Sequence, residues 1–173
     1  LKENPVTKKE LKKQRETVFS DNIKFSLVVP LYKTDKRLLK ALIDSVQAQT
    51  YSNWELCLSD GSGADSPIRD ILEEYQKKDQ RIKVVFNDKP LQISDNTNAA
   101  IGIATGNYIS FADHDDTLAE EAFYQMAKEI QAHPEAELLY SDEDIIDIKG
   151  RRLFPHFKPD YNPDMLCCVK YIC

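Results

Sequence analysis

The chain has 173 residues, 42% of them apolar and 30% charged, a composition that fits a globular protein and excludes a disordered or fibrous one. A domain of this size buries roughly 70% of the surface its unfolded form exposes. A net charge of −6 argues against broad electrostatic binding of nucleic acid, which needs clustered cations to displace counterions.

Residues 1–22 read as a basic lead-in. Thr7 and Glu10 have capping-box spacing ahead of Leu11, which predicts a short helix. The weak apolar stripe favours a solvated segment, and Lys8, Lys9, Lys12, Lys13 and Arg15 also suit an acidic partner or a lipid surface. No apolar run approaches the roughly 20 residues that span a bilayer, and residues 1–20 lack a signal peptide's apolar centre. The expected location is therefore cytoplasmic, with the lysines permitting peripheral association at the inner face of a membrane.

From Phe25 the chain alternates between two kinds of segment. Phe25–Leu31 is a near-continuous apolar run suited to a buried parallel strand. Leu38, Leu39, Leu42, Ile43 and Val46 form a helical stripe, and Trp54–Ser59 is the next strand. Ser66 as N-cap and Pro67 in the first turn open a second helix, which buries Ile68, Ile71, Leu72 and Tyr75 and leads to strand Ile82–Phe86. Ser94–Ala104 reads as a helix ended by Gly106, Tyr108–Ala112 as a strand, and Ala119–Ala132 as a helix stopped by Pro134. Leu138–Ser141 is a further strand candidate, and Ile145–Phe154 reads as a hairpin centred on Lys149-Gly150. This alternation predicts an α/β fold with a mainly parallel sheet, helices on both faces and ligands at the strands' carboxyl ends. Residues 23–173 form that domain, and the chain stops in mid-pattern, as if more residues follow. Cys57, Cys167, Cys168 and Cys173 include no C-x-x-C pair, so the thiols read as reduced and structural.

Three predicted strand ends carry polar turns: Pro30-Leu31-Tyr32, Ser59-Asp60-Gly61-Ser62-Gly63 and Asp113-His114-Asp115-Asp116. Taken singly they fit a proline-ended strand, a glycine turn and an acid-rich helix start. The third holds three carboxylates in four residues, which repel one another unless a cation or solvent separates them. Oxygen donors of this kind select Mg2+ or Mn2+, commonly completed by substrate phosphates. Neither G-x-x-x-x-G-K-[ST] nor G-x-G-x-x-G follows the first strand, so the common ATP and dinucleotide pockets lose their main support.

In order, Ser26-Leu27-Val28-Val29-Pro30-Leu31-Tyr32, Ser45-Val46-Gln47-Ala48-Gln49-Thr50-Tyr51 with Trp54-Glu55-Leu56, Asp60-Gly61-Ser62 and Ala104-Thr105-Gly106-Asn107-Tyr108 through Asp116 resemble family 2 glycosyltransferases. Tyr140-Ser141-Asp142-Glu143-Asp144 is similar to the bacterial polysaccharide and rhamnan-type branch. The resemblance implies a GT-A fold, a nucleotide-diphosphate sugar donor linked to UDP or dTDP, and inverting hexosyl or deoxyhexosyl transfer to a saccharide or lipid-linked acceptor. It also implies residue roles. Pro30, Leu31 and Tyr32 match the segment lining the base, and Asp60 matches the acid contacting it. Asp113 matches the first carboxylate of the Asp-x-Asp motif, near the ribose, and Asp115 matches the metal ligand. His114 reads as a pocket wall and Asp116 as an outer-lying acid or N-cap. Asn98 either borders the nucleotide or braces a loop.

Ser59 and Thr97 stand where many relatives carry an acid and an arginine. Inverting transfer also needs a general base, which relatives supply well beyond the metal motif. Asp142, Glu143 and Asp144 are the weak candidates within this chain, and the base stays unassigned. Two other readings remain open: a sugar-nucleotide-binding scaffold without catalysis, and a receiver-like signalling module, for which the acids lie one strand too late.

Overall fold

The computed structural model describes residues 6–147 and 150–168. They form two compact units, one reaching to Pro134 and one starting at Glu135.

In the first unit, four parallel strands take the order β3-β2-β1-β4: β1 Phe25–Leu31, β2 Trp54–Asp60, β3 Ile82–Phe86 and β4 Tyr108–Phe111. Every residue of β1 and β2 is buried, as expected of central strands covered on both faces, and the polar Ser26, Glu55, Ser59 and Asp60 are buried with the apolar majority. Alternation then assigns the faces. Val28 and its register partner Cys57 pack with Ala100 and Ile101 of helix α4 (Ile93–Ile101). Phe25 points the other way and stacks on Phe123 of helix α5 (Ala122–Ala132), ring centroids 5.0 Å apart. The mainly parallel α/β architecture read from the sequence is the one observed.

Helix α2 (Lys36–Gln47) starts at Asp35, whose carboxylate accepts from Arg37 N at 2.7 Å. It fully buries Leu39, Leu42, Ile43 and Val46, each contributing about 1.5–3 kcal/mol of apolar transfer. Leu38, counted in the same stripe above, lies about 100° around the helix from Leu39 and is 42% exposed.

Several boundaries move for physical reasons. Helix α3 spans Arg69–Lys78, so Ser66 and Pro67 lie in the turn before it and Ile68 holds the cap position without a side-chain bond. Helix α4 ends at Gly102 rather than Gly106. Gly106 instead serves a close approach of two strands, because a Cβ there would sit 2.6 Å from the Lys24 carbonyl oxygen and 2.8 Å from Ser26 N. Only a hydrogen fits where the head of β4 meets the start of β1. Gly106→Ala is therefore expected to cost about 1–3 kcal/mol, read as a lower urea midpoint at unchanged slope.

At the amino end of the sheet Glu55 is 1% exposed. It pairs with Lys24 and, at 2.9 Å, with Lys83. Ser26 Oγ donates to it at 2.7 Å, and Thr105 donates through N and Oγ1. Beside it, burial and the Glu55 charge push the Cys57 thiol up to about 11, leaving a protonated, unreactive thiol.

The lead-in is docked, which corrects its reading as a solvated segment. Helix α1 (Lys8–Arg15) carries the expected capping box at Thr7 and Glu10. Arg15 donates to Ala48 O and to Glu120, and Thr50 Oγ1 donates to the buried Gln14 side chain at 2.8 Å. Phe19 meets Tyr51 and Tyr124 edge-on. Lys8, Lys9, Lys12 and Lys13 remain exposed.

The second unit contains an antiparallel hairpin, β5 Glu143–Ile146 with β6 Arg152–His156, and helix α6 Pro163–Cys168. Lys149, named above as part of the hairpin's centre, lies outside the described residues. Residues 138–141 form no strand; Leu138 is 55% exposed, and a strand without a partner is not held. Cys57, Cys167 and Cys168 are free thiols, and Cys173 is outside the described residues.

Candidate functional site

The strand order creates the site. The chain runs β1 to β2 to β3 in one direction, then crosses to place β4 on the other side of β1. Such a reversal opens a crevice at the carboxyl ends of the central strands. The register sets Leu31 beside Asp60 and Val28 beside Phe111, so all three strand-end motifs open on the same edge.

On the β1–β2 side, Pro30 and Leu31 are buried and Tyr32 is 46% exposed. The Lys33 ammonium stands 5.3 Å from the Tyr32 ring centre, and Lys33 adopts φ 47, the left-handed region that non-glycine residues rarely occupy. Lys33 N donates to Ser62 Oγ at 2.9 Å, and Gly61 N donates to Leu31 O at 2.9 Å. These bonds tie the end of β1 to the loop after β2.

Asp60 is 1% exposed. One carboxylate oxygen accepts from Ser62 N at 3.0 Å, and the other is buried with no partner. Asn96, on α4, donates through its amide to Leu31 O at 2.9 Å, while its own carbonyl oxygen is likewise buried and unpaired. Gly61 makes room for that amide, since a Cβ would stand 2.7 Å from Asn96 Nδ2. Each unmet acceptor costs about 1–3 kcal/mol. Two of them bordering one loop, at the sheet edge where ligands bind, form a pair of acceptors suited to N–H donors. A donor reaches them only when the covering side chains shift. Asn98, the sequence candidate on this helix, is exposed; Asn96 falls one turn before Ala100 on the buried face of α4.

On the β4 side, Asp113, Asp115 and Asp116 are exposed and His114 is half-buried. Ala112 N donates to Val28 O, and Asp116 N donates to Asp113 O at 3.2 Å, closing the acidic turn. Exposure lets water separate the carboxylates, so their crowding does not by itself demand a cation. Among the described residues no group of three His, Cys, Asp or Glu side chains is arranged to hold a metal. The donor set fits Mg2+ or Mn2+ in the way those ions commonly bind, through one or two carboxylates with phosphate and water oxygens completing the shell.

The second unit engages the other candidate acids. Glu143 sits between His156 Nδ1 at 3.0 Å and Lys158 Nζ at 3.1 Å. These partners hold its carboxyl below the usual range, the His156 hydrogen bond contributing most. A depressed pKa makes a weaker general base. Asp142 accepts from Lys158 N at 2.8 Å, and Asp144 pairs with Arg152. All three staple the hairpin.

Residues 26–154 match the sequence model described as Glycosyl transferase family 2. An uncharacterized protein of Sinorhizobium fredii, y4gI, is 45% identical over 85% of this chain and 16% of its own length. The O-antigen biosynthesis protein RfbC of Myxococcus xanthus is 34% identical over 85% of this chain and 12% of its own. Among solved structures, residues 1–349 of S. aureus TarS in complex with UDP-GlcNAc superpose with a TM-score of 0.61 and 25% identity, covering 71% of this chain and 35% of that one. This chain thus spans a minor part of the relatives it matches. The parallel sheet with flanking helices is the GT-A fold, and with three quarters of its length under the family's model the chain belongs to glycosyl transferase family 2.

Proposed function

We propose that this chain is the donor-binding part of an inverting glycosyltransferase that builds cell-surface polysaccharide. The observation that carries this reading is the pair of unmet acceptors, Asp60 Oδ2 and Asn96 Oδ1, on the same sheet edge as the acidic turn. Uracil and thymine both present an imide N–H, so a uridine or thymidine diphosphate sugar fits the acceptors, with Pro30, Leu31 and Tyr32 lining the base. UDP-GlcNAc bound to TarS supports the uridine form.

Asp113 lies on the ribose side, and Asp115, helped by Asp113, holds Mg2+ or Mn2+ against the diphosphate. The ion supplies neutralisation of charge on the departing diphosphate. His114, half-buried beside them, walls the pocket. The acceptor is a saccharide or lipid-linked glycan, in keeping with the O-antigen role in the name of RfbC. No helix among the described residues is long and apolar enough to cross a membrane; the four exposed lysines of α1 support peripheral contact at its cytoplasmic face.

Titration of uridine diphosphate with manganese tests the reading. Asp115→Ala is expected to weaken binding about tenfold, the loss of one charge-assisted contact, and chelation of the metal to do the same. Affinity indifferent to both would sink the diphosphate clamp. Turnover of a donor sugar separates an enzyme from a binding scaffold.

A further inference from the structure

The acidic turn has exposed side chains, so its position depends on how its backbone is anchored. On the upstream side β4 holds it through Ala112. On the downstream side the anchor comes from α2 and the turn after it. Ser45 Oγ accepts from Leu118 N at 3.1 Å. Gln49, 6% exposed, donates to Ala119 O at 2.6 Å and to Ser45 O at 3.3 Å, and accepts from Phe123 N at 3.0 Å. Thr50 N donates to Glu120 O at 2.7 Å. Apart from Ser45 O, the backbone groups so held, on Leu118, Ala119, Glu120 and Phe123, lie between the acidic turn and the first turn of α5.

The amide of Gln49 spends both ends on this segment. It caps α5, whose own N-cap residue Glu121 makes no side-chain bond, and it fixes the stretch that enters that helix. A buried amide whose oxygen and nitrogen both bond another segment's backbone, and whose nitrogen is also tied back to Ser45 O, sets the geometry of that segment. Arg15 adds an outer brace by bonding Ala48 O and Glu120 together.

We infer that Gln49, seconded by Ser45, is a positioning residue for the donor diphosphate: it fixes where Asp113 and Asp115 stand without touching the ligand. The inference rests on the donor-site reading above. Its signature is selectivity, because the base site on the β1–β2 side is held by separate bonds through Ser62, Gly61 and Asn96. Loosening the acidic turn weakens the diphosphate and metal end alone.

The test pairs calorimetric titration of uridine diphosphate in manganese with NMR titration of uridine, on the full chain. Gln49→Leu is expected to weaken the diphosphate about tenfold and uridine by less than about twofold. Ser45→Ala, which loses the Leu118 N bond together with the local Ser45 Oγ bond to Leu42 O and little packing, is expected to weaken the diphosphate about threefold with the same selectivity, and it carries the test if Gln49→Leu fails to fold. Equal losses for both ligands, or none for either, overturn the positioning role. Metal-independent diphosphate binding by the unsubstituted protein overturns the donor-site reading and the inference with it. Metal-dependent binding that survives both substitutions overturns the inference alone.

Discussion

Glu55→Ala is expected to destabilise the first unit by about 3–5 kcal/mol, the cost of removing one partner from a buried charge cluster. Glu55 answers two ammonium groups and the donors of Ser26 and Thr105 at once. Without it, Lys24 and Lys83 face each other unneutralised, and the Thr105 N–H loses its acceptor. Both lysine side chains are about one third exposed, at 32% and 34%, so part of the charge turns to water and the loss falls toward the lower figure. Burial pushes the carboxyl up, but Lys24, Lys83, Ser26 and Thr105 together outweigh it and hold the group well below its ordinary value of 4.5. The folded pKa is thus the depressed one. Its stabilisation is complete above the unfolded value and is lost as pH falls through 4.5 toward the folded value. Urea midpoints at neutral, mildly acid and strongly acid pH check both points. The unsubstituted protein should weaken on acidification, and Glu55→Gln should flatten that part of the profile. A midpoint insensitive to Glu55→Ala would remove the cluster from any account of stability.

The sheet was legible in the sequence because β1 and β2 are buried on both faces and are mainly apolar, near-continuously in β1 and with Trp54, Leu56, Cys57 and Leu58 in β2. What escaped were features decided by tertiary contacts. The sequence pattern predicts the start of α5 at Ala119, yet the helix begins at Ala122 because Ser45, Gln49 and Thr50 hold residues 118–120 in another conformation. Gly106 resembled a helix terminator, whereas its missing Cβ serves the contact between β4 and β1. The lead-in lacked an apolar stripe because it docks by Gln14, Arg15 and Phe19, and hydrogen bonds leave no periodic trace.

The site divides along the same line. Pro30, Leu31, Asp60 and the acidic turn stand out as candidates in the sequence because each lies at the end of a strand, and strand ends share an edge in any parallel sheet. Asn96 does not stand out in the sequence because its bond to Leu31 O arises from α4 crossing the end of β1, a contact 65 residues apart in sequence. Gln49 was seen only as one letter of a motif; its bond to Ala119 spans 70 residues.

Asp60→Asn is expected to weaken uridine diphosphate binding about 100-fold while leaving stability unchanged or raised. In the free protein the carboxylate satisfies Ser62 N with one oxygen and leaves the other buried and unpaired. The amide keeps an acceptor for Ser62 N and removes the buried charge, while an unmet N–H2 takes the place of the unmet oxygen, so the stability gain comes from the charge. Function loses what stability gains. An amide N–H2 presented to the imide N–H of uracil sets donor against donor, so a charge-assisted hydrogen bond is lost and two donors are left unpaired. Together these amount to about 2.7 kcal/mol, or 100-fold. Cytosine carries an acceptor at the same ring position, so cytidine diphosphate should be spared and the preference between the two nucleotides should narrow or invert. Calorimetry with both nucleotides, alongside urea midpoints, reads all of this. If Asp60→Asn instead lowers the midpoint and affects both nucleotides alike, the carboxylate is a loop brace and the base is recognised elsewhere.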